Sequence, residues 1–290
     1  MRFNQLGKTN LKVSEIGLGT EFLFYQSKEI VKSVILKALE SKINYFDILF
    51  SVKQYLDKLA PIIKEYRDEI IITGHIGTVE NTEGRPRKTR NLKECSQEFE
   101  KMLELLNIDS FDIINLQYVR INEFEKIMQN GGLCDLATSF IDQGKARHLG
   151  LSTHDIPVIE KAILTGKFDM IMYPINVINH GLKGRKESLK SIKKNNIGLV
   201  GIKPFAAGNL LQQNKTVNFA KYQTGGLGIK KKNLPDISAP KCLNYATSIP
   251  EVSTVLIGVK SEQELLENLS FTDLSPNDKD WSNLVEYYSH

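Results

Sequence analysis

A repeated alternation of short apolar strands and amphipathic helices constrains the fold of this chain more than any other feature. Strands that are followed by a helix, or by room for one, are predicted to begin near Glu15, Asn44, Ile70, Phe111, Arg147, Met170, Gly198 and Val255. Eight such units in a chain of about 250 residues or slightly more are typical of a closed, parallel (β/α)8 TIM barrel. We expect one barrel domain that spans residues 1–290.

Other local patterns refine this prediction. A doubly wound open sheet would more often show roughly five or six strands and a GxGxxG motif after the first, but Gly17 to Thr20 reads GLGT. The alternation from Arg2 to Val13 predicts a short N-terminal β-hairpin. The mostly polar stretch from Thr78 to Lys88 predicts a long loop, and a second polar segment surrounds Gly225 to Gly228.

The segment from Asn44 to Gly77 places two polar side chains where barrel proteins carry out chemistry. A short strand ends near Asp47, a helix follows, and a second strand ends at His75. The carboxyl ends of parallel barrel strands meet at one face. Histidine titrates near neutral pH, and a nearby carboxylate fixes its tautomer. The sequence therefore predicts an active site that contains both residues.

Composition argues against several classes of function. The net charge is +4 with acidic and basic residues interleaved, so nucleic acid is not an expected partner. Cys95, Cys134 and Cys242 are widely spaced, which argues against a disulfide framework, a zinc site or an iron–sulfur cluster. The chain shows no signal peptide and no run of ~18 apolar residues. We expect a cytoplasmic protein with a small-molecule substrate and no metal or membrane contact, and nothing indicates a protein partner.

Several motifs occur in the order known from the aldo-keto reductases, and the chain resembles that family over nearly its whole length. The matching segments are Gly17 to Thr20, Asn44 to Asp47, Gly144 to Ser152, Lys203 to Gly208, and Glu267-Asn268. The resemblance implies a (β/α)8 barrel. It also implies hydride transfer between NADPH and a carbonyl or alcohol.

The family's catalytic set of Asp, Tyr, Lys and His is matched only in part. The resemblance places Asp47 at the aspartate, Val52 at the tyrosine, His75 at the lysine and Gln117 at the histidine. One branch of the family also lacks the tyrosine and carries histidine for the lysine, usually with a cysteine-rich, ferredoxin-like tail. The segment from Ile72 to Gly77 resembles that branch. This chain shows no such tail, so electron delivery through an iron–sulfur cluster is not expected.

Carbonyl reduction needs a proton donor at the oxygen as the hydride arrives, and Val52 cannot supply one. His75 is the favoured candidate, because it titrates near neutral pH and stands at a catalytic position of the family. Tyr55 and Tyr118 are alternatives, although a tyrosine at either place is more often a packing residue. The predicted catalytic set is therefore Asp47 and His75 acting together, with Gln117 at the remaining family position.

Residues that resemble the family's nucleotide contacts are mostly retained. They are Ser152, Thr153, Asn176, Lys203, Pro204, Phe205, Gly208, Leu210, Gly258, Lys260, Glu267 and Asn268. The first three correspond to side chains that hold the nicotinamide carboxamide, and the next five lie in a loop that covers the pyrophosphate. Gly258 and Lys260 lead into a helix whose N-terminus suits a phosphate, and Glu267 and Asn268 match adenine contacts. Glu264 stands where an arginine usually meets the 2′-phosphate, so either Lys260 compensates in NADP binding or NAD is used.

Three functional interpretations follow. The favoured one is an NADP- or NAD-dependent oxidoreductase of specialised metabolism with Asp47 and His75 as an altered active site. The second is a non-redox lyase, dehydratase or isomerase that uses the same pair as acid and base. The third is a catalytically silent binding or regulatory subunit. Substrate identity is not readable, because the specificity of barrel proteins lies in their variable loops.

Overall fold

The strands of the chain form a central barrel and three small two-stranded sheets in the computed structural model, which describes residues 1–212, 217–218, 230–231 and 237–289. The polar segment around Gly225 to Gly228 lies outside the described residues. The strands are β1 (Phe3–Gln5), β2 (Lys12–Ser14), β3 (Ile16–Gly19), β4 (Tyr45–Ile48), β5 (Ile71–Ile76), β6 (Thr78–Glu80), β7 (Pro86–Lys88), β8 (Phe111–Leu116), β9 (Ala146–Ser152), β10 (Met170–Pro174), β11 (Gly198–Ile202), β12 (Val217–Asn218), β13 (Lys230–Lys231) and β14 (Thr254–Gly258).

Eight of these strands close into a barrel in the order β3-β4-β5-β8-β9-β10-β11-β14, and every neighbouring pair is parallel. All eight coincide with the strands predicted from the sequence. The expectation of a (β/α)8 TIM barrel is therefore confirmed.

Helices surround the barrel. They are α1 (Lys28–Glu40), α2 (Lys53–Glu65), α3 (Leu92–Leu106), α4 (Phe124–Met128), α5 (Leu133–Asp142), α6 (Ile156–Thr165), α7 (Arg185–Lys194), α8 (Ala239–Ser248), α9 (Glu262–Leu269), α10 (Pro276–Lys279) and α11 (Ser282–Ser289). In α2, the predicted apolar positions Leu56, Leu59, Ile62 and Ile63 are all buried. Each buried side chain of this size contributes about 1.5–3 kcal/mol, which explains why this face packs inward.

The predicted N-terminal hairpin is present and closes one end of the barrel. Strands β1 and β2 pair antiparallel, and Leu6 between them is fully buried against Gly198. Gly7 has φ +52°, and a Cβ atom there would lie 2.2 Å from the backbone nitrogen of Gly198. Only glycine fits this close approach. The hairpin therefore leaves the carboxyl ends of the strands as the accessible end of the barrel.

Side chains inside the barrel change from apolar to polar along the strands. The apolar cluster near the hairpin contains Leu6, Val13, Tyr45, Ile113, Met170, Met172, Val200 and Leu256. Side chains alternate along a strand, so Asp47 and Asn115 face the same side as Tyr45 and Ile113, two residues earlier. The buried polar residues thus lie above an apolar floor.

The prediction of a long loop from Thr78 to Lys88 was wrong, because β6 and β7 form an antiparallel hairpin there. The side-chain oxygen of Asn81 accepts hydrogen bonds from the backbone amides of Glu83 and Arg85, and Gly84 adopts φ +69°. An asparagine that bonds its own turn and a left-handed glycine stabilise a tight connection despite the polar sequence. The hairpin follows directly on the strand that carries His75.

Candidate functional site

The Asp47 and His75 side chains meet at the carboxyl end of the barrel. Asp47 pairs in register with Thr73 on the adjacent strand β5, and His75 lies two residues further along the same face. The Nε2 atom of His75 is 2.7 Å from Oδ1 of Asp47. Both residues are buried: His75 is 4% exposed and Asp47 is 7% exposed. The parallel strands therefore bring together two polar side chains that are 28 residues apart in the sequence.

A third side chain, Asn115 on β8, completes this group. Its Nδ2 atom is 3.1 Å from Nδ1 of His75, and the residue is fully buried. An amide nitrogen only donates, so this contact suits a His75 ring whose proton lies on Nε2, facing Asp47. Both nitrogens of His75 are engaged, which leaves neither open to a ligand in this arrangement.

Unpaired polar atoms gather at the same end of the barrel. Of the buried side-chain atoms without a hydrogen-bond partner in the described part of the chain, four follow or end the strands β4, β5 and β8: Ser51 Oγ, Thr78 Oγ1, Asn115 Oδ1 and Gln117 Oε1. Buried polar groups are normally paired, and each unpaired group costs about 1–3 kcal/mol. Their location indicates that this end of the barrel is built to meet polar groups of a ligand.

Gln117 is held at this rim by Arg90. The Arg90 guanidinium donates to the backbone oxygens of Gln117, at 2.6 Å, and Tyr118, at 3.3 Å, and it pairs with Glu123 at 3.0 Å. Burial opposes the ionisation of Glu123, but hydrogen bonds from Arg90 and Lys88 outweigh it and lower its pKa to about 2. The carboxylate stays charged and keeps the guanidinium in place beneath the loop that follows β8.

The two tyrosines considered as proton donors differ in their surroundings. Tyr55 is buried, and its hydroxyl shares a hydrogen bond with Thr20 Oγ1; burial raises its pKa well above the usual value. Tyr118 is half-buried, and its hydroxyl accepts from Arg120 at 2.6 Å. Its ring meets the His154 ring edge-on at 4.9 Å. Tyr55 therefore belongs to the core, and Tyr118 is the more accessible hydroxyl.

The three side chains expected at a nicotinamide carboxamide lie at the end of β9 or directly after β9 and β10, and they already bond the protein backbone. Ser152 Oγ accepts from the Tyr118 amide at 2.7 Å, and Thr153 Oγ1 donates to the Val119 oxygen at 2.8 Å. The Nδ2 atom of Asn176 donates to the Lys203 oxygen at 3.1 Å. An amide nitrogen has a second hydrogen and a hydroxyl oxygen a second lone pair, so Asn176 and Ser152 keep capacity for a ligand.

The expected pyrophosphate loop after β11 has an unusual backbone. Lys203, Ala206 and Ala207 have φ of 54°, 48° and 55°, and Gly208 has φ 81°. Left-handed conformations at non-glycine residues are sparsely populated and cluster at functional sites. Within this loop Pro204 and Leu210 are buried, whereas Lys203, Phe205 and Gly208 are half-buried. The loop is thus a defined structure beside Asn176.

The N-terminus of α9, expected to bind phosphate, is capped by the protein's own groups. Ser261 Oγ accepts from the Glu264 amide at 3.2 Å, and the Glu264 carboxylate accepts from the Lys260 amide at 2.7 Å. The Phe22 ring packs on Gly258, where a Cβ would lie 2.3 Å from it, and the Lys260 ammonium is 5.9 Å from its centroid. Two backbone amides at this helix start, those of Lys260 and Glu264, are therefore already bonded by side chains of the protein.

The expected adenine contacts differ in burial. Glu267 is exposed on α9, whereas Asn268 is only 5% exposed. Of the pair, only Glu267 therefore presents its side chain to solvent.

Known proteins resemble this chain across nearly its whole length. The sequence profile of the Aldo/keto reductase family matches residues 15–289. The chain belongs to the aldo/keto reductase family. The uncharacterized oxidoreductase YqkF of Bacillus subtilis (strain 168) is 24% identical over 297 residues, which cover 93% of this chain and 90% of that protein. The holo form of aldo-keto reductase AKR11C1 from Bacillus halodurans has a similar fold, with a TM-score of 0.78 at 18% identity, over 100% of this chain and 97% of that chain.

For this aldo/keto reductase, the assignment of Val52, His75 and Gln117 to the family's tyrosine, lysine and histidine positions stays a prediction from the sequence motifs. The structure adds where these residues lie. Val52 is fully buried and directly precedes α2, His75 lies near the end of β5, and Gln117 follows β8 at 9% exposure. All three are therefore at the same end of the barrel as Asp47.

Sequence reasoning missed Asn115 and Arg90 in this aldo/keto reductase. Asn115 is the polar residue in an otherwise apolar stretch, Ile113 to Leu116, and that contrast was the available signal. Arg90 follows the polar stretch that was predicted to be a loop, and Gly77, at φ +127°, leaves the space through which its guanidinium reaches the loop after β8. Both residues owe their roles to contacts between segments that are distant in the sequence, and the sequence pattern does not specify such contacts.

In the described ranges, no group of three His, Cys, Asp or Glu side chains is arranged to hold a metal ion. No helix in the part of the chain that the structure covers is long and apolar enough to cross a membrane.

Proposed function

We propose that this aldo/keto reductase is a nicotinamide-dependent oxidoreductase that acts on a small carbonyl or alcohol at the carboxyl end of its barrel. Family membership and the oxidoreductase name of the Bacillus subtilis relative support this class. The observation that carries the proposal is the buried contact of 2.7 Å between His75 and Asp47 at the end of the barrel where such enzymes react their substrates. Cytoplasmic location and a role in specialised metabolism are part of the proposal.

The residues at the open end of the barrel fit the nicotinamide half of the cofactor. The unpaired Gln117 Oε1 suits an amide or hydroxyl donor, and Ser152 and Asn176 keep free hydrogen-bonding capacity. The loop from Lys203 to Leu210 would lie over the pyrophosphate. When bound, the nicotinamide supplies or accepts the hydride.

His75 was favoured as the proton donor from the sequence, but both of its ring nitrogens contact protein groups. We therefore assign the proton transfer to Asp47, supported by His75. Asp47 Oδ1 accepts from His75 Nε2, whereas Oδ2 makes no hydrogen bond to another described residue and is the atom left for a substrate hydroxyl. Oxidation of an alcohol would release its proton to Oδ2, and reduction would take the proton back. The His75 ring holds the Asp47 carboxylate in position throughout, and its hydrogen bond stabilises the negative charge of that carboxylate.

The adenine half of the site favours NAD over NADP. The Glu264 carboxylate already accepts from the Lys260 amide at the start of α9, so a 2′-phosphate would meet negative charge where it needs donors. A carboxylate instead accepts hydrogen bonds from a ribose diol, as in other NAD sites. Lys260 extends over the Phe22 ring, with its ammonium 5.9 Å from the ring centroid.

Calorimetric titration with NADH and NADPH tests both parts of the proposal. We expect NADH to bind with a submillimolar dissociation constant and NADPH to bind more weakly. Glu264→Gln keeps an acceptor for the Lys260 amide but removes the charge. The ratio of the NADPH dissociation constant to that of NADH should therefore fall by about fivefold, which corresponds to about 1 kcal/mol.

The matched control is Glu262→Gln, on the same helical turn. Glu262 faces α1, where it accepts from Ser33 at 2.5 Å and lies 3.7 Å from Lys37, so its loss should leave the preference unchanged. If neither dinucleotide binds at submillimolar concentration, the oxidoreductase proposal is lost. Turnover without net oxidation of the cofactor would support the non-redox alternative instead.

A further inference from the structure

We infer that Asn115 is a positioning residue: its amide donates to Nδ1 of a neutral His75 ring whose proton lies on Nε2 toward Asp47, and it also suits the doubly protonated ring. The tautomer assignment stands on geometry alone, and its catalytic meaning rests on the proposed function. The contact joins Nδ2 of Asn115 to Nδ1 of His75 at 3.1 Å, on neighbouring strands where the two residues are partners in register. Asp47 occupies the other ring nitrogen at 2.7 Å.

The two contacts together permit one neutral tautomer. A carboxylate oxygen accepts and an amide nitrogen donates, so Nε2 carries the proton and Nδ1 does not. The second nitrogen of a histidine ring is commonly fixed by the hydrogen bond that the first one makes, and here protein groups fix both. The ring is therefore locked in orientation as well as in tautomer.

The amide of Asn115 also suits the doubly protonated ring. In the present orientation its Oδ1 atom is buried and has no partner in the described protein. A half-turn of the amide would bring Oδ1 to the ring, where it would accept from a protonated Nδ1, and would leave Nδ2 unpaired in its place. An asparagine thus keeps a hydrogen bond to His75 in either protonation state, which neither leucine nor aspartate does.

Gly150 on the next strand makes room for this amide. It is the register partner of Asn115 on β9, and a Cβ atom there would lie 2.7 Å from the Asn115 oxygen. Three adjacent strands therefore contribute His75, Asn115 and the space beside them. A side chain that only filled a cavity would not need a donor aimed at one ring nitrogen.

Nitrogen NMR of the histidine rings tests the inference without any substrate. The full-length protein, labelled with 15N, has five histidines, and the His75 signals are those that disappear in His75→Gln. At one fixed pH near 7.5, we expect wild-type Nδ1 to appear as an unprotonated nitrogen that accepts a hydrogen bond, and Nε2 as a protonated one. A wild-type ring with a proton on Nδ1 at this pH, alone or together with one on Nε2, would overturn the inference before any variant is made.

Two variants then separate positioning from packing. Asn115→Leu removes the donor while keeping the volume, so the Nδ1 signal should shift to that of an unprotonated nitrogen without a hydrogen bond. Asn115→Asp places acceptors at both ring nitrogens, so both should appear protonated at the same pH. Unchanged His75 signals in a folded Asn115→Leu or Asn115→Asp protein would contradict the inference. Cofactor binding by calorimetry does not enter this test, so its failure and that of the proposed function are distinguishable.

Discussion

Replacing Gly150 by alanine tests the packing of the site most sharply. The added Cβ would lie 2.7 Å from the Asn115 oxygen, 2.7 Å from the Met170 methyl and 3.1 Å from a methyl of Ile113. Overfilling a packed interior costs about 1–3 kcal/mol. Alanine also lowers the conformational entropy of the unfolded chain, which stabilises the folded protein by about 0.4–1 kcal/mol and so opposes the cost of crowding.

Gly19→Ala separates these two effects. Gly19 is also a barrel-strand glycine, but the nearest atom to an added Cβ is the Ile257 oxygen at 3.5 Å, an ordinary contact. Both variants gain the same restriction of the unfolded chain, so the difference between their free energies of unfolding isolates the crowding at Gly150. We expect Gly150→Ala to be less stable than Gly19→Ala by about 1–3 kcal/mol.

Equilibrium urea unfolding, followed by far-ultraviolet circular dichroism, measures this difference. If the free energy of unfolding falls with urea concentration at the same slope in both variants, the two differ in stability and not in the compactness of the unfolded state. A difference below about 0.5 kcal/mol is within the usual scatter for independent sites. That result would refute the close approach of Asn115 to Gly150 and with it the packing described for the site.

Two further variants test the surroundings of Asp47 and His75. Glu123→Gln removes a carboxylate whose folded pKa of about 2 lies below its usual 4.5. Denaturant titrations should therefore show the full loss of stability above pH 4.5 and a smaller loss as the pH falls toward 2; a loss that is independent of pH would contradict the role of its charge beside Arg90. Tyr55→Phe should cost about 1 kcal/mol in thermal unfolding, because it removes the hydrogen bond to Thr20, and should leave the affinity for NADH unchanged; a variant that binds but no longer turns over would make Tyr55 the proton donor.

The sequence predicted the barrel because its pattern is local and repeated. Each apolar strand and each amphipathic helix shows its own period, and the eight strands follow from that period alone. The hairpin from Thr78 to Lys88 was missed because its stability comes from the Asn81 turn and not from an apolar stripe. Turn chemistry within a polar segment is a weaker signal than periodicity.

The site was predictable only where strand ends carry polar residues. Asp47 and His75 lie at the ends of consecutive strands, and the structure brings them to 2.7 Å. The contact of Asn115 with His75 depends on the register of β5 against β8, which one sequence does not specify. The Glu264 cap on α9 likewise depends on a side-chain conformation. Contacts that join distant segments therefore needed the structure.

A crystal structure of the protein with NADH tests the central claim most directly. We predict that the dinucleotide lies across the carboxyl end of the barrel, with C4 of the nicotinamide facing Asp47 and His75 and with the ribose of the adenine half near Glu264. The loop from Lys203 to Leu210 should cover the pyrophosphate. Crystals grown at saturating NADH that show no dinucleotide, or a nicotinamide bound away from Asp47 and His75, would contradict the account.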